Sequence, residues 1–264
     1  MVNLRAQARR FYQSSWESWE PIGRSFRPWL WSNSRHFQSS DQLLEFFVRR
    51  LPRGSVLDAG CGPAGRDLSW LAARRRDPIG LDFVPAVLRA AHARLGRRQQ
   101  LVLADLTTGL PFRNGTFSGI VCENVIQHVS GARLRDVVLP EFWRSLVPSG
   151  SLLLEFKTGS GIASRYDPAL GTYRCLRLYD PDEVLRAAKR SGFSAAALPL
   201  DHEYAERLDM TNRRGMSLSA FIFDKSRFRP TQEETWNFAL TDRKRAVRRR
   251  PGYIRTGRRK PNDR

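Results

Sequence analysis

Val56-Leu57-Asp58-Ala59-Gly60-Cys61-Gly62-Pro63-Ala64-Gly65-Arg66-Asp67 decides the fold of this chain. A short apolar run closes on an acid, passes into a glycine-rich turn, and continues as a helical pattern through Leu68 and Leu71. That order reads as strand, loop, helix. Glycines let the backbone turn sharply and come close to a ligand, and a helix start offers free N–H groups and the positive end of its dipole. The stretch is therefore a cradle for a nucleotide-like molecule. Gly60, Gly62 and Gly65 also satisfy the dinucleotide spacing G-x-G-x-x-G, so these glycines alone leave the ligand open.

The following segments extend the same pattern. Pro78 to Leu81 reads as a second strand closing on Asp82, Leu101 to Ala104 as a third closing on Asp105, and Gly119 to Cys122 as a fourth closing on Glu123. Helices with one apolar face lie between them, carried by Val87, Leu88, Ala91 and Leu95 and later by Leu134, Val137, Val138, Phe142 and Leu146. Strands at Ser151 to Phe156, Ser194 to Pro199 and Ser217 to Phe223 complete the set. Ahead of the cradle, Leu43, Leu44, Phe47, Val48 and Leu51 form a stripe, with Asp41 placed to cap that helix. Alternating strands and helices predict a Rossmann-like α/β fold, a doubly wound, mostly parallel sheet with helices on both faces. In an open parallel sheet the ligand lies at the carboxyl ends of the strands, so Asp58, Asp82, Asp105 and Glu123 are expected to border one crevice.

The chain divides into three parts: residues 1–40 as an aromatic-rich cap, 41–225 as the α/β domain, and 226–264 as a basic, disordered tail. In the cap, Tyr12, Trp16 and Trp19 fall on one helical face, which is either a lid over the ligand cleft or ordinary packing. Lys157 to Tyr179, with Tyr166 inside it, is too long for a plain connector and is a candidate substrate loop. Of the 45 basic residues only five are lysine, and the formal charge is +19, of which +9 falls in the tail. The tail is a solvated face or a grip for RNA or an anionic surface. Cys61, Cys122 and Cys175 show neither even pairing nor metal-ligand spacing, and no metal is expected. No run approaches the roughly 18 to 20 apolar residues of a membrane span, and a cytoplasmic protein is expected.

In order and spacing, these pieces resemble the class I S-adenosylmethionine-dependent methyltransferases, in particular the broad group called type 11. The resemblance covers roughly Leu51 to Asp224. It rests on Val56 to Pro63, Gly80-Leu81-Asp82, Ala104-Asp105-Leu106, Leu110-Pro111-Phe112, Gly115-Thr116-Phe117 and Leu146-Val147-Pro148-Ser149-Gly150. Ala64 stands where the family usually has a third glycine. The resemblance implies a seven-stranded sheet with the last strand antiparallel and S-adenosylmethionine as cofactor. It assigns Asp58, Ala59, Gly60, Cys61 and Gly62 to the amino-acid end, Asp82 to the ribose and Phe83 to a face of the adenine. Asp105 and Leu106 go to the adenine, and Glu123 and Asn124 to the methionine portion.

Charge separates this reading from a nicotinamide-dependent oxidoreductase built on the same glycines. A cationic sulfonium suits an acid-lined crevice, whereas a pyrophosphate beside Asp58 does not. For the methyl acceptor, the expectation is a small molecule held between the aromatic cap and the later loop, by Tyr12, Trp16, Trp19, Lys157 and Tyr166. The alternative is RNA, since Leu110 to His128 also resembles wobble-uridine tRNA methyltransferases, although Gln127 stands where those enzymes often carry a second histidine. His128, after the fourth strand, is the candidate general base. A non-catalytic binding scaffold is the third reading.

Overall fold

The computed structural model describes residues 3–17, 37, 39–167, 172–200, 203–211 and 216–225. The tail, Trp19 and the segment around Pro21 and Pro28 lie outside the described residues.

Five strands run parallel: β1 (Ser55–Ala59), β2 (Asp77–Asp82), β3 (Gln100–Leu103), β4 (Phe117–Glu123) and β5 (Leu146–Lys157). Beyond them come β6 (Ile162–Asp167), β7 (Thr172–Arg177), β8 (Phe193–Ala195), β9 (Leu198–Leu200), β10 (Glu203–Ala205), β11 (Leu208–Thr211) and β12 (Ser217–Lys225). The seven-strand path of the main sheet is β11-β12-β5-β4-β1-β2-β3, and the last strand in sequence, β12, is antiparallel to β5 as expected. β11, also antiparallel, occupies the edge beyond it.

Residues 194–199, read as one strand, form two. β8 pairs with β12, and β9 departs to form a separate pair with β10. The stretch from Lys157 to Tyr179, read as a loop, instead holds the antiparallel hairpin β6–β7. Its Tyr, Arg, Thr and Ile residues suit a pleated surface, and alternation there is masked because neither face enters the main core.

The sheet is apolar on both faces because its strands alternate with period two. Ile120 and Cys122, Leu152 and Leu154, and Phe221 and Phe223 point into one core, while Val121, Leu153 and Ile222 point into the other. The first core is closed by the helical run α5 (Gly131–Arg133), a π-helical stretch (Leu134–Val138) and α6 (Leu139–Ser145), together with α7 (Pro181–Arg190). Pro140 has no N–H for the carbonyl of Asp136, which is where this run departs from a regular α-helix. The second core is closed by α2 (Ser40–Arg50) and Leu71 of α3 (Arg66–Ala73). The cap of α2 is Ser39, which forms a reciprocal capping box with Gln42, rather than Asp41. Asp41 turns instead to Arg66. α4 (Pro85–Leu95) follows β2.

α1 (Leu4–Glu17) begins earlier than the aromatic pattern implied, because Leu4, Ala8 and Phe11 make its buried face. Among the described residues, no helix is long and apolar enough to cross a membrane.

Close approach of α2 to the sheet depends on Gly119 in β4. A Cβ there would stand 2.5 Å from Leu51 Cδ1 and 3.1 Å from Phe47 Cζ. Gly119→Ala is therefore expected to lower unfolding stability by about 1–3 kcal/mol through overpacking, read as a lower midpoint in urea with an unchanged slope.

Candidate active site

The carboxyl ends of β1, β2, β3 and β4 open on one pocket of about 240 Å³. Gly60, Gly62, Asp82, Phe83, Asp105, Leu106, Asn124 and His128 line it, and Tyr12 of α1 closes one side. Asp58, Ala59, Cys61 and Glu123 do not line the cavity; all four lie behind it, Asp58, Ala59 and Cys61 at or near full burial. The walls between the polar groups are apolar: Leu81, Val87, Val125 and Val129.

Two features of the glycine turn shape the cradle. Gly60, at φ +97, sits where a Cβ would collide with Val125 Cγ2 at 2.3 Å, and Gly62, at φ +61, has open space where its Cβ would be. The turn is tied to β2 by the N–H groups of Gly60 and Cys61, which donate to Leu81 O at 2.7 and 3.0 Å. Asp82 accepts from the N–H of Gly62 at 3.4 Å and of Val84 at 3.0 Å. Burial still pushes its carboxyl up to about 6, with those N–H donors opposing the rise. Asp105 is braced by Thr107, whose N–H and hydroxyl donate to Oδ1 at 2.8 and 2.7 Å, and its other oxygen meets Arg5 of α1.

Behind the pocket lies a denser charge cluster. Arg66 contacts Asp67 at 3.1 Å and Glu123 at 3.4 Å, besides Asp41. Asn124, in the left-handed region at φ +56, donates from its side chain to Glu155 and accepts from Lys157 Nζ at 2.6 Å. The carboxylates outnumber the cations. Asp58 is held well above the ordinary carboxylate range by burial, and then by its neighbours Asp67 and Asp82; Glu123 is raised by burial and by Asp67 and Glu155. Burial raises Glu155 to about 7. One oxygen each of Asp58, Glu123 and Glu155 has no hydrogen-bond partner among the described residues. Such a cluster fits a ligand that brings positive charge and hydrogen-bond donors, and it does not fit a pyrophosphate.

His128 is buried in the wall. Its Nε2 lies 3.2 Å from the Tyr12 hydroxyl, the rings meet edge-to-face at 5.4 Å, and Nδ1 has no partner among the described residues. Burial, with the charges of Lys157 and Arg174, lowers its pKa to about 3, so the ring is neutral at physiological pH. A second hollow lies on the far side of α1, lined by Arg10, Phe11, Ser14, Tyr173, Arg174 and Cys175, and it shares His128 with the first.

Of the residues expected at a substrate, Tyr12 reaches the pocket, whereas Lys157 ends β5 inside the charge cluster. Tyr166 stands exposed on the β6–β7 hairpin, away from the pocket. Trp16 lies in α1 but its side chain, like all of Trp19, is outside the described residues. Arg5, Arg66, Asp67 and Glu155 were not singled out from the sequence. Glu155 carried a signal, as a lone acid inside Leu152-Leu153-Leu154-Glu155-Phe156, and so did Arg66-Asp67, directly after the glycine turn.

A family model described as a methyltransferase domain matches residues 57–154. An 18S rRNA (guanine-N(7))-methyltransferase of Schizosaccharomyces pombe is 26% identical over 199 residues, 71% of this chain and 68% of that protein. A candidate methyltransferase of Encephalitozoon cuniculi is 30% identical over 185 residues, 64% of this chain and 80% of that protein. The crystal structure of a SAM-dependent methyltransferase from Methanosarcina mazei shares the fold, with a TM-score of 0.58 at 17% identity over 70% of this chain and 97% of that one. With its acid-lined crevice at the strand ends, the chain belongs to the class I S-adenosylmethionine-dependent methyltransferases and is an enzyme that uses S-adenosylmethionine as its cofactor.

Proposed function

We propose that the enzyme methylates RNA, at a ring nitrogen of a purine base. One observation carries this reading: likeness to the rRNA (guanine-N(7))-methyltransferase extends over 199 residues, whereas the methyltransferase-domain match covers only 57–154. A likeness confined to the cofactor half would say nothing of the acceptor. The formal charge of +19 agrees with a polyanionic partner. The small-molecule acceptor expected from the sequence drew on the aromatic cap, much of which lies outside the described residues.

The chemistry of the site is consistent with this choice. Bound S-adenosylmethionine supplies an electrophilic methyl on a sulfonium. Asp82 would accept from the ribose hydroxyls, and Asp58 with Glu123 would offset the positive charge at the amino-acid end. Phe83, Val125 and Val129 would exclude water from the line of approach. A purine N7 has an in-plane lone pair and no proton to lose, so it needs no general base. On this reading the neutral His128, held against Tyr12, orients the acceptor rather than deprotonating it.

Incubating the full chain with labelled S-adenosylmethionine and fractionated cell extract tests the acceptor: label is expected in RNA, and label confined to low-mass metabolites would refute it. His128→Ala is expected to lower kcat by about tenfold or less with an unchanged pH profile. A base would instead cost about 10²–10⁴-fold.

The raised carboxylates give a pH signature. A group whose folded pKa lies above its unfolded value stabilises the fold at low pH and loses that contribution as pH rises through the folded pKa. For Glu155 at about 7 and Asp82 at about 6, the ligand-free protein should gain thermal stability from about pH 8 down to about pH 6.5. Below that, charging of His128 in the unfolded chain opposes the gain. Affinity for the cationic cofactor should move the opposite way, weakening as pH falls through about 6. Calorimetric titration at a series of pH values checks this.

A further inference from the structure

Among the described residues the β6–β7 hairpin is bonded to no other strand, and its composition does not suit a purely structural role. Tyr166 sits directly opposite Tyr173, with ring centroids 5.2 Å apart at 60°, and the two residues are 55% and 67% exposed. At the next register position, on the other face, Arg165 lies directly opposite Arg174. Like charges in that position destabilise a strand pair unless an anion lies between them. The hairpin also packs by β7 against α1, where Arg174 stands over the Phe11 ring at 5.2 Å and Arg9 and Arg10 are exposed. α1, β6 and β7 carry six arginines against two acids, Glu17 and Asp167, whose side chains lie outside the described residues. Arg5 and Arg177 have acidic partners elsewhere, Asp105 and Glu183. Tyr173, Arg174 and Arg10 line one hollow, so an aromatic ring and guanidinium groups meet there, a combination that single-stranded nucleic acid recognises.

We propose that this surface docks a single-stranded segment of the RNA substrate, an inference that rests on the RNA reading above. Bases flanking the target stack on Tyr166 and Tyr173, and phosphates lie against Arg10 and Arg174, which line the hollow beside Tyr173. The hollow between α1 and β7 holds a nucleotide next to the target base, and it shares His128 with the cofactor pocket that the target base enters. That shared wall favours RNA over an anionic membrane as occupant. A membrane would meet the hairpin but would have no use for a hollow that shares His128 with the methyl-transfer pocket.

The test uses the full chain and a labelled single-stranded oligoribonucleotide of about twelve nucleotides, followed by fluorescence anisotropy over a salt series. Tyr166→Ala with Tyr173→Ala should weaken binding by about tenfold or more, most clearly at high salt where electrostatic contacts fade, while Tyr166→Phe with Tyr173→Phe stays within about twofold. Arg10→Ala should reduce the slope of log affinity against log salt by about 0.7. An unchanged thermal shift with S-adenosylmethionine shows that each variant is folded. If the double alanine variant binds RNA as tightly as the parent at every salt concentration, the docking surface is overturned and the RNA reading stands. If the parent binds no RNA but binds phosphatidylserine vesicles through the same tyrosines, both are overturned.

Discussion

Uncompensated negative charge, buried where the parallel strands end, is the constraint on which the rest of this structure depends. Asp58, Asp67, Glu123 and Glu155 are packed around Arg66 and Lys157, with Asp82 at the pocket wall, and the balance is negative. Burying carboxylates without counter-charge costs stability, and the folded protein answers by raising their pKa values. The two hydrophobic cores supply the opposing stabilisation, since apolar residues of β4, β5 and β12 fill both faces of the sheet. A ligand carrying a sulfonium and an ammonium relieves the strain, which a pyrophosphate would worsen. On the proposed reading, specificity for the cofactor would be bound up with the energetic cost of burying these carboxylates together.

Much of this was legible in the sequence because the relevant signals are local. The first four parallel strands each close on an acid at or beside a turn, and periodicity marked the helices between them. Asp58, Asp82, Asp105 and Glu123 were found that way, and the structure brings all four to one end of the sheet. What the sequence hid is set by tertiary packing. Glu155 and Lys157 enter the cluster only because β5 lies next to β4, with Glu155 in register with Glu123. Asp41 looked like a helix cap, but Ser39 and Gln42 satisfy the N-terminus of α2 and leave Asp41 to Arg66. The hairpin read as a loop because its pairing is with itself, so neither strand shows the apolar alternation of a core strand. The start of α1 was missed for the opposite reason: prominent aromatics at Tyr12 and Trp16 drew attention from the smaller stripe Leu4, Ala8 and Phe11.

His128 lines both the pocket at the strand ends and the hollow beside α1. Strand β4 and the turn after it put the ring between the cofactor pocket and the hollow beside α1, and the Tyr12 contact fixes it there. α1 thereby serves two ends, with Arg5 closing on Asp105 and Tyr12 on His128. A change in α1 is expected to affect cofactor and acceptor together, whereas a change at Tyr166 or Tyr173 should affect the acceptor alone.

The central claim is that the cofactor's positive charge offsets carboxylates which the fold holds partly protonated. Isothermal titration of S-adenosylmethionine near pH 6.5, repeated in buffers of different ionisation enthalpy, counts the protons exchanged on binding. Net release of a substantial fraction of a proton is expected as Asp82 and Glu155 ionise around the ligand. Proton uptake, or an enthalpy independent of buffer, would contradict it.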